Sequence, residues 1–164
     1  MAPLFYIANF ENKKIMLKEF GLEKIPPEKG IITAIKIVAA LFIYSALFSF
    51  ILALIGFNDL GKMENLIKSA YTFSPIYFAI TITIGLFLEE YFFRAFLVPR
   101  ADIWGSSIIF GIFHYSSGSI AQVIGATFLG LILAVAYKQY KNLIPLYIAH
   151  VLYDVIIIYF LVIR

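Results

Sequence analysis

The sequence contains no cysteine among its 164 residues. Disulfide bonds, thiolate metal ligands and a cysteine nucleophile are therefore excluded. Charged residues are also scarce, at 14% of the chain against about a quarter in ordinary globular domains. The basic residues are scattered and no polar domain presents them, so no nucleic-acid partner is expected.

Hydrophobic residues make up 62% of the chain, which is typical of an integral membrane protein. Five apolar segments occupy residues 31–57, 74–98, 102–114, 119–137 and 143–163. They run without a two-residue alternation, which favours helices over strands. The third is shorter than the roughly 20 residues that cross a bilayer alone. The sequence predicts an all-α, polytopic transmembrane helical bundle with about five membrane-embedded helices.

Lysines are frequent in the first 30 residues, and Pro26 and Pro27 separate them from the first span. We expect residues 1–30 to form a cytoplasmic or interfacial segment beside anionic head groups. Residues 31–164 are then the helical domain.

The connections between spans alternate in charge. Basic residues follow the second and fourth spans, at Arg94 and Arg100 and at Lys138 and Lys141. The 58–73 loop is balanced in charge, and residues 115–119 carry none. The positive-inside rule therefore predicts an integral protein of the cell membrane with a cytoplasmic N-terminus.

Six ionisable side chains lie deep in the spans, where each costs at least about 2.5 kcal/mol and normally marks a function. They are Glu89, Glu90, Arg94, His114, His150 and Asp154. Depth can be counted at 1.5 Å of rise per residue, starting from the turns on the same side of the membrane as the N-terminus. On this scale the residues that lie about 12–20 Å deep are Glu89, His114, His150 and Asp154. Because three helices bring them to similar depths, we expect one shared polar site.

Spacing predicts pairings within this set. Glu90 and Arg94 are four residues apart on a helix, in the favourable order for an ion pair. Glu89 is rotated from Glu90 by about 100° and can point elsewhere. His150 and Asp154 have the same four-residue spacing, so Asp154 can orient the ring or share a ligand with it.

Two further patterns predict packing. Phe110 is one turn before His114 and is expected to cover one side of the imidazole. Ala126, Gly130 and Ala134 repeat at intervals of four and predict a face for close helix contact.

The cluster is compatible with several chemistries. A buried glutamate beside histidines can serve as a general base for water. Glu89, His114 and His150 also form the His₂Glu ligand type of a catalytic zinc, but without HExxH spacing, so zinc and a metal-free mechanism stay equally open. A small proton or cation transporter, or a non-catalytic scaffold with a buried polar cluster, is the alternative. No inverted repeat supports the transporter.

The polar residues resemble three motifs of the CPBP intramembrane proteases, also called the CAAX-protease and bacteriocin-processing (Abi) family. The motifs are EExxxR at Glu89-Glu90-Tyr-Phe-Phe-Arg94, FxxxH at Phe110-Gly-Ile-Phe-His114, and HxxxN or HxxxD at His150-Val-Leu-Tyr-Asp154. Their order on successive apolar segments, with a motif-free span before the last, makes the match specific.

The resemblance implies an endopeptidase acting in or near the membrane, with the bilayer and a hydrophobic or lipidated peptide or protein as partners. The best-known activity of the family removes the last three residues of prenylated CAAX proteins. On this reading the cavity opens to the cytoplasm, and the sequence carries no signal for an oligomeric state.

The resemblance also implies catalytic roles. Glu89 and His114 would activate water, and His150 and Asp154 would stabilise the oxyanion. Glu90 and Arg94 would be a supporting pair. An ionised aspartate repels an oxyanion, so either Asp154 is protonated, or His150 alone donates and Asp154 fixes its tautomer.

Overall fold

The computed structural model describes residues 20–57 and 59–162, which contain helices and connections but no strand. The helices are α1 (Pro27–Leu54), α2 (Gly61–Phe73), α3 (Pro75–Glu89), α4 (Val98–Phe113), α5 (Ile120–Tyr140) and α6 (Leu143–Val162). A π-helical segment (Glu90–Leu97) links α3 to α4, and a 3₁₀ turn (His114–Ser117) follows α4. The predicted all-α class is confirmed.

Four helical stretches are long and apolar enough to cross a membrane: 27–54, 75–117, 120–140 and 143–162. The second is a hairpin, because Asp102 has non-helical backbone angles (φ 54°, ψ −179°) and reverses the chain. Ser106 beyond the reversal donates a hydrogen bond to the carbonyl of Phe93 before it (2.6 Å). The hairpin's two arms and the other three stretches give five membrane-embedded helices, as predicted.

The outer surface of the bundle is apolar. Large side chains such as Ile43 on α1, Ile76 on α3 and Phe160 on α6 are more than half exposed. In water such a surface would aggregate, but hydrocarbon solvates it at no cost. The chain is therefore an integral membrane protein.

Helix α5 packs most closely against α4, through small residues. Ala126, Gly130 and Ala134 are all buried, so the predicted contact face is confirmed. A Cβ added at Gly130 would lie 2.8 Å from the ring of Phe110. On the facing helix, a Cβ at Gly111 would overlap Thr127 and come within 2.6 Å of the Val123 carbonyl. Glycine at these positions lets the two backbones approach.

One end of the bundle gathers the start of α1, the hairpin turn and the α5–α6 turn; we call it the N-terminal end. The backbone N–H of Leu143 donates to the carbonyl of Gly21 (2.8 Å), and the Asn142 amide donates to the carbonyl of Glu23 (2.9 Å). Lys138 pairs with Asp102 at the hairpin turn (3.1 Å). Helix α1 starts at Pro27, where a missing N–H costs nothing. Residues 1–19 of the expected interfacial segment lie outside the described residues.

The other end of the bundle carries the connection between α1 and α3, and the structure corrects one expectation there. Most of the stretch that was expected to be the 58–73 loop is helix α2, which has no buried residue. Met63 and Ile67 recur at helical spacing between polar residues, as in an amphipathic helix. The segment is too polar for a span, so a search for long apolar runs alone does not find it.

Asp59 holds this connection to the start of α5. Its carboxylate accepts hydrogen bonds from the Ser119 hydroxyl (2.8 Å) and from the backbone N–H groups of Ile120 (2.7 Å) and Ala121 (3.1 Å). Partial burial alone would raise the pKa of Asp59, but these three hydrogen bonds lower it below the ordinary value. The carboxylate also complements the positive end of the helix dipole.

We expect Asp59 to make stability depend on pH. Because its pKa is depressed in the folded state, its contribution is complete above the unfolded pKa and is lost as pH falls through the folded pKa. Thermal unfolding of the parent and Asp59→Asn in detergent measures this. The variant should unfold at a lower temperature at neutral pH, and the difference should shrink below about pH 4. A constant difference across the acid range would contradict the assignment.

Candidate active site

The π-helical segment carries the most deeply buried charges. Glu90 and Arg94 are both fully buried, with the Arg94 Nε 3.4 Å from the Glu90 Oε2. The predicted ion pair is therefore present. π-Helical winding is rare and is frequent at functional sites. Here it extends over eight residues directly beyond Glu89.

Phe110 packs beside Arg94 and both imidazoles. The Arg94 Cζ is 4.4 Å from the centre of its ring, within cation–π range. On the other side, its ring centre is 4.4 Å from that of His114 and 6.2 Å from that of His150. The side chain is 2% exposed, so it also excludes lipid and water from between these groups.

His150 lies between two carboxylates. Its Nδ1 is 2.9 Å from the Glu90 Oε1, and its Nε2 is 3.9 Å from the Asp154 Oδ1. A carboxylate only accepts hydrogen bonds, so Nδ1 carries a proton and donates it to Glu90. The Asp154 carboxylate lies near Nε2 but beyond hydrogen-bond distance, so Nε2 has no hydrogen-bond partner among the described residues.

Glu90 is therefore the residue that orients the His150 ring. The sequence indicated Asp154 for this role. The contact joins residues 60 positions apart, on the π-helical segment and α6. Spacing within a single helix cannot reveal such a contact. Glu90 consequently holds Arg94 with one oxygen and His150 with the other.

His114 has a different environment. Its Nδ1 is 2.8 Å from the carbonyl oxygen of Phe110, one turn earlier. A carbonyl only accepts, so Nδ1 donates and the neutral ring keeps a lone pair on Nε2. The Nδ1 of His114 is thus bonded to a backbone carbonyl, whereas the Nδ1 of His150 is bonded to a carboxylate.

Glu89 has fewer contacts than the other polar residues of the site. Its Oε2 is buried without a hydrogen-bond partner among the described residues, and it lies within electrostatic range of His150, Glu90 and Arg94. In the described part of the chain, no hydrogen bond or ion pair joins it to His114, the partner expected from the sequence. Glu89 therefore offers one free carboxylate oxygen at the edge of the site.

A cavity of about 380 Å³ adjoins these groups. His114, His150 and Asp154 line it, whereas Glu89 and Glu90 are not among its lining residues. Most of the remaining lining is apolar. The site is thus a small polar patch at one side of a hydrophobic chamber, a usual form of a ligand pocket.

The cavity extends from the histidines towards the end of the bundle opposite the N-terminal end. Leu60, Met63 and Ile67, on or beside α2, line it there, with Leu161 from the last turn of α6. With a cytoplasmic N-terminus, the cavity would face the other side of the membrane. The sequence-based expectations of a cytoplasmic N-terminus and a cytoplasmic cavity therefore disagree with each other.

The donor set does not fit a zinc ion. The described residues contain no group of three or more His, Cys, Asp or Glu side chains placed to hold a metal. Within the suggested His₂Glu set, both histidines make their hydrogen bonds through Nδ1, and Glu89 is not among the residues that line the cavity with them.

The comparison with protein families decides the relationship. Residues 71–156, slightly more than half of the chain, match the Rce1-like family, described as type II CAAX prenyl endopeptidase Rce1-like. The chain belongs to the Rce1-like family. The matched range contains all three motifs and the four helices α3–α6 almost complete, but it leaves out α1. No curated protein and no solved structure matches the chain.

Membership in the Rce1-like family confirms the suspected relationship to CAAX proteases and supports a membrane endopeptidase in general. It also favours peptide hydrolysis over the transporter and scaffold alternatives. The roles of individual residues rest on the geometry described above.

Proposed function

We propose that the chain is an intramembrane endopeptidase that hydrolyses a peptide bond near the C-terminus of a membrane-associated protein or peptide. A prenylated, CAAX-type C-terminus is the substrate that the family description suggests. The observation that carries the proposal is the pair of histidines at one cavity wall. One is hydrogen-bonded to a backbone carbonyl, and the other is hydrogen-bonded to Glu90 and has Asp154 nearby.

The first chemical step is attack by water. His114 Nε2 accepts a proton from the water while its oxygen bonds to the scissile carbonyl carbon. In the proposal, the Glu89 carboxylate, which does not line the cavity in this structure, turns towards the water and accepts a second hydrogen bond from it or takes the proton onward. The mostly apolar lining of the cavity beside His114 limits the number of other water molecules that compete for the proton.

The second requirement is stabilisation of the oxyanion. The carbonyl oxygen becomes negatively charged when water adds, and the Nε2–H of protonated His150 donates to it. Glu90 holds the ring at Nδ1 so that Nε2 faces the cavity. As the tetrahedral intermediate collapses, the C–N bond breaks and the proton taken from water passes to the leaving amine.

Asp154 acts on this step through His150. Its carboxylate near Nε2 helps to keep the ring protonated before substrate arrives. The oxyanion then competes with Asp154 for the same N–H group. Asp154 is therefore a positioning residue in the proposal, with His150 as the donor.

The proposal is tested with the purified chain in detergent and a synthetic peptide that ends in a farnesylated CAAX sequence. The parent should release the C-terminal tripeptide, and Glu89→Gln should lower the rate by about 10²–10⁴-fold. Glu28→Gln is the matched control, because Glu28 is exposed in the first turn of α1 and should leave the rate unchanged. Equal cleavage by the parent and Glu89→Gln, or none by a folded parent, would contradict the proposal.

A further inference from the structure

A group of hydroxyls lines the cavity on the side of α1 and α6. Tyr44 and Ser45 on α1 and Tyr153 on α6 all lie on its wall, together with His150 and Asp154. Helix α1 is outside the residues that match the Rce1-like family, so two of these hydroxyls are features of this chain beyond the matched region.

The hydroxyl of Tyr44 is buried and has no hydrogen-bond partner among the described residues. Its ring is held between Phe48 (centroids 5.7 Å apart) and Phe128 (6.0 Å). The ring is thus fixed by packing while its polar end is left unsatisfied. Native structures rarely leave a buried hydroxyl without a partner, and such a group calls for an explanation.

Ser45 and Tyr153 add a second available donor. Their hydroxyl oxygens are 2.6 Å apart, so one of them donates its proton to the other. The accepting hydroxyl keeps its own proton free. Tyr44 is next to Ser45 on α1, and Ser45 contacts Tyr153 across the same cavity, so the two free O–H groups belong to one part of the wall.

The charge of the cavity indicates what these donors would bind. Among the described residues on its wall, Glu64 and Asp154 are acidic, and there is neither lysine nor arginine. A substrate carboxylate at this wall would find no permanent positive charge apart from the imidazolium used for catalysis. A neutral carbonyl accepts hydrogen bonds from hydroxyls without bringing a charge into apolar surroundings.

We propose that the Tyr44 hydroxyl, together with the Ser45–Tyr153 pair, forms a binding subsite for backbone carbonyl groups of the peptide substrate. The inference rests on the proposed function, since it assigns the peptide that the histidines would cleave to this wall. The hydroxyls hold the chain beside the scissile bond and take no part in proton transfer.

Tyr44→Phe tests the subsite, because it removes the hydroxyl and keeps the ring between Phe48 and Phe128. With the farnesylated peptide, we expect KM to rise about 3–10-fold while kcat stays within about 2-fold. Thermal stability should not fall, because no hydrogen bond within the described protein is lost. Tyr159→Phe is the matched control, since Tyr159 lies on the lipid-facing side of α6 with 52% of its surface exposed.

A binding measurement separates this inference from the proposed function. A fluorescent version of the same peptide is titrated into the Glu89→Gln variant with and without Tyr44→Phe. The dissociation constant should rise by the same factor as KM. If this shift is found but the parent chain does not hydrolyse the peptide, the subsite holds and the endopeptidase proposal fails. Unchanged KM and dissociation constant in Tyr44→Phe would overturn the subsite, whatever the activity of the parent.

Discussion

Replacing either cavity histidine by glutamine should reduce hydrolysis of the farnesylated peptide by about 10²–10⁴-fold. Glutamine is neutral and similar in reach, but it neither accepts a proton from water nor carries the charge of an imidazolium. In His114→Gln the loss comes from water activation, since the Nε2 lone pair is gone. In His150→Gln the loss comes from the oxyanion, which exchanges a charged donor for a neutral amide.

The two variants should differ in how tightly they bind an analogue of the tetrahedral intermediate, and this difference tests the roles assigned to the two histidines. His114→Gln keeps the charged donor, so it should still bind a tetrahedral phosphonate analogue of the peptide. His150→Gln should bind that analogue at least about tenfold more weakly, because a charge-assisted hydrogen bond is lost. Both measurements are made at neutral pH with the Glu28→Gln control alongside. Similar analogue affinities in both variants, or hydrolysis within a few-fold of the parent, would contradict the division of roles.

Replacing Arg94 by methionine should lower the free energy of unfolding by about 3–5 kcal/mol, the usual cost of breaking a buried ion pair at one end. Methionine fills a similar volume against Phe110, so the loss is not mainly one of packing. The cost arises because Glu90 would keep its charge in a fully buried position with only His150 beside it. Denaturant or thermal unfolding in detergent measures the effect.

Two comparisons isolate the electrostatic part of the Arg94 effect. Lys29→Met replaces an exposed basic residue near the start of α1, where the change should be within about 0.5 kcal/mol. Adding Glu90→Gln to Arg94→Met removes the unpaired charge, and the double variant should regain part of the lost stability. A double variant less stable than Arg94→Met alone would show that the pair is not the source of the effect.

The sequence was sufficient to predict the helices and the meeting of the polar residues. Long apolar runs report the spans directly, because every buried backbone group in a bilayer must find its partner within a helix. Depth could be counted from the turns, so residues as distant as Glu90 and His150 were expected at one site. The small residues on α5 likewise predicted its close contact with α4.

The particular contacts within the site could not be predicted. The link from Glu90 to His150 depends on how the π-helical segment rotates its side chains, and π-helical winding has no clear sequence signal. The four-residue spacing of His150 and Asp154 suggested a direct partnership, but the closer carboxylate comes from another helix. Glu89 is expected to act with His114, but no hydrogen bond joins the two among the described residues, and Glu89 does not line the cavity.

The cavity hydroxyls on α1 could not be predicted from the sequence, for a different reason. Tyr44 and Ser45 occur in a span with many aromatic and apolar residues, and neither forms a motif. Only the arrangement of helices shows that this part of α1 faces α6 and the cavity. The cavity's position near α2 also depends on the tertiary structure, since α2 itself is not apolar enough to be noticed.

The cavity's placement beneath the amphipathic helix α2 has a consequence for how substrates arrive. Lipid-anchored chains lie in one leaflet, and their polypeptide emerges on that face only. A chain anchored in the leaflet next to α2 brings its terminal peptide to the chamber without crossing the bilayer. A substrate anchored in the opposite leaflet would have to draw polar backbone through the half of the bundle that holds the main hydrophobic core. The proposed enzyme would therefore select its substrates by the leaflet in which they are anchored.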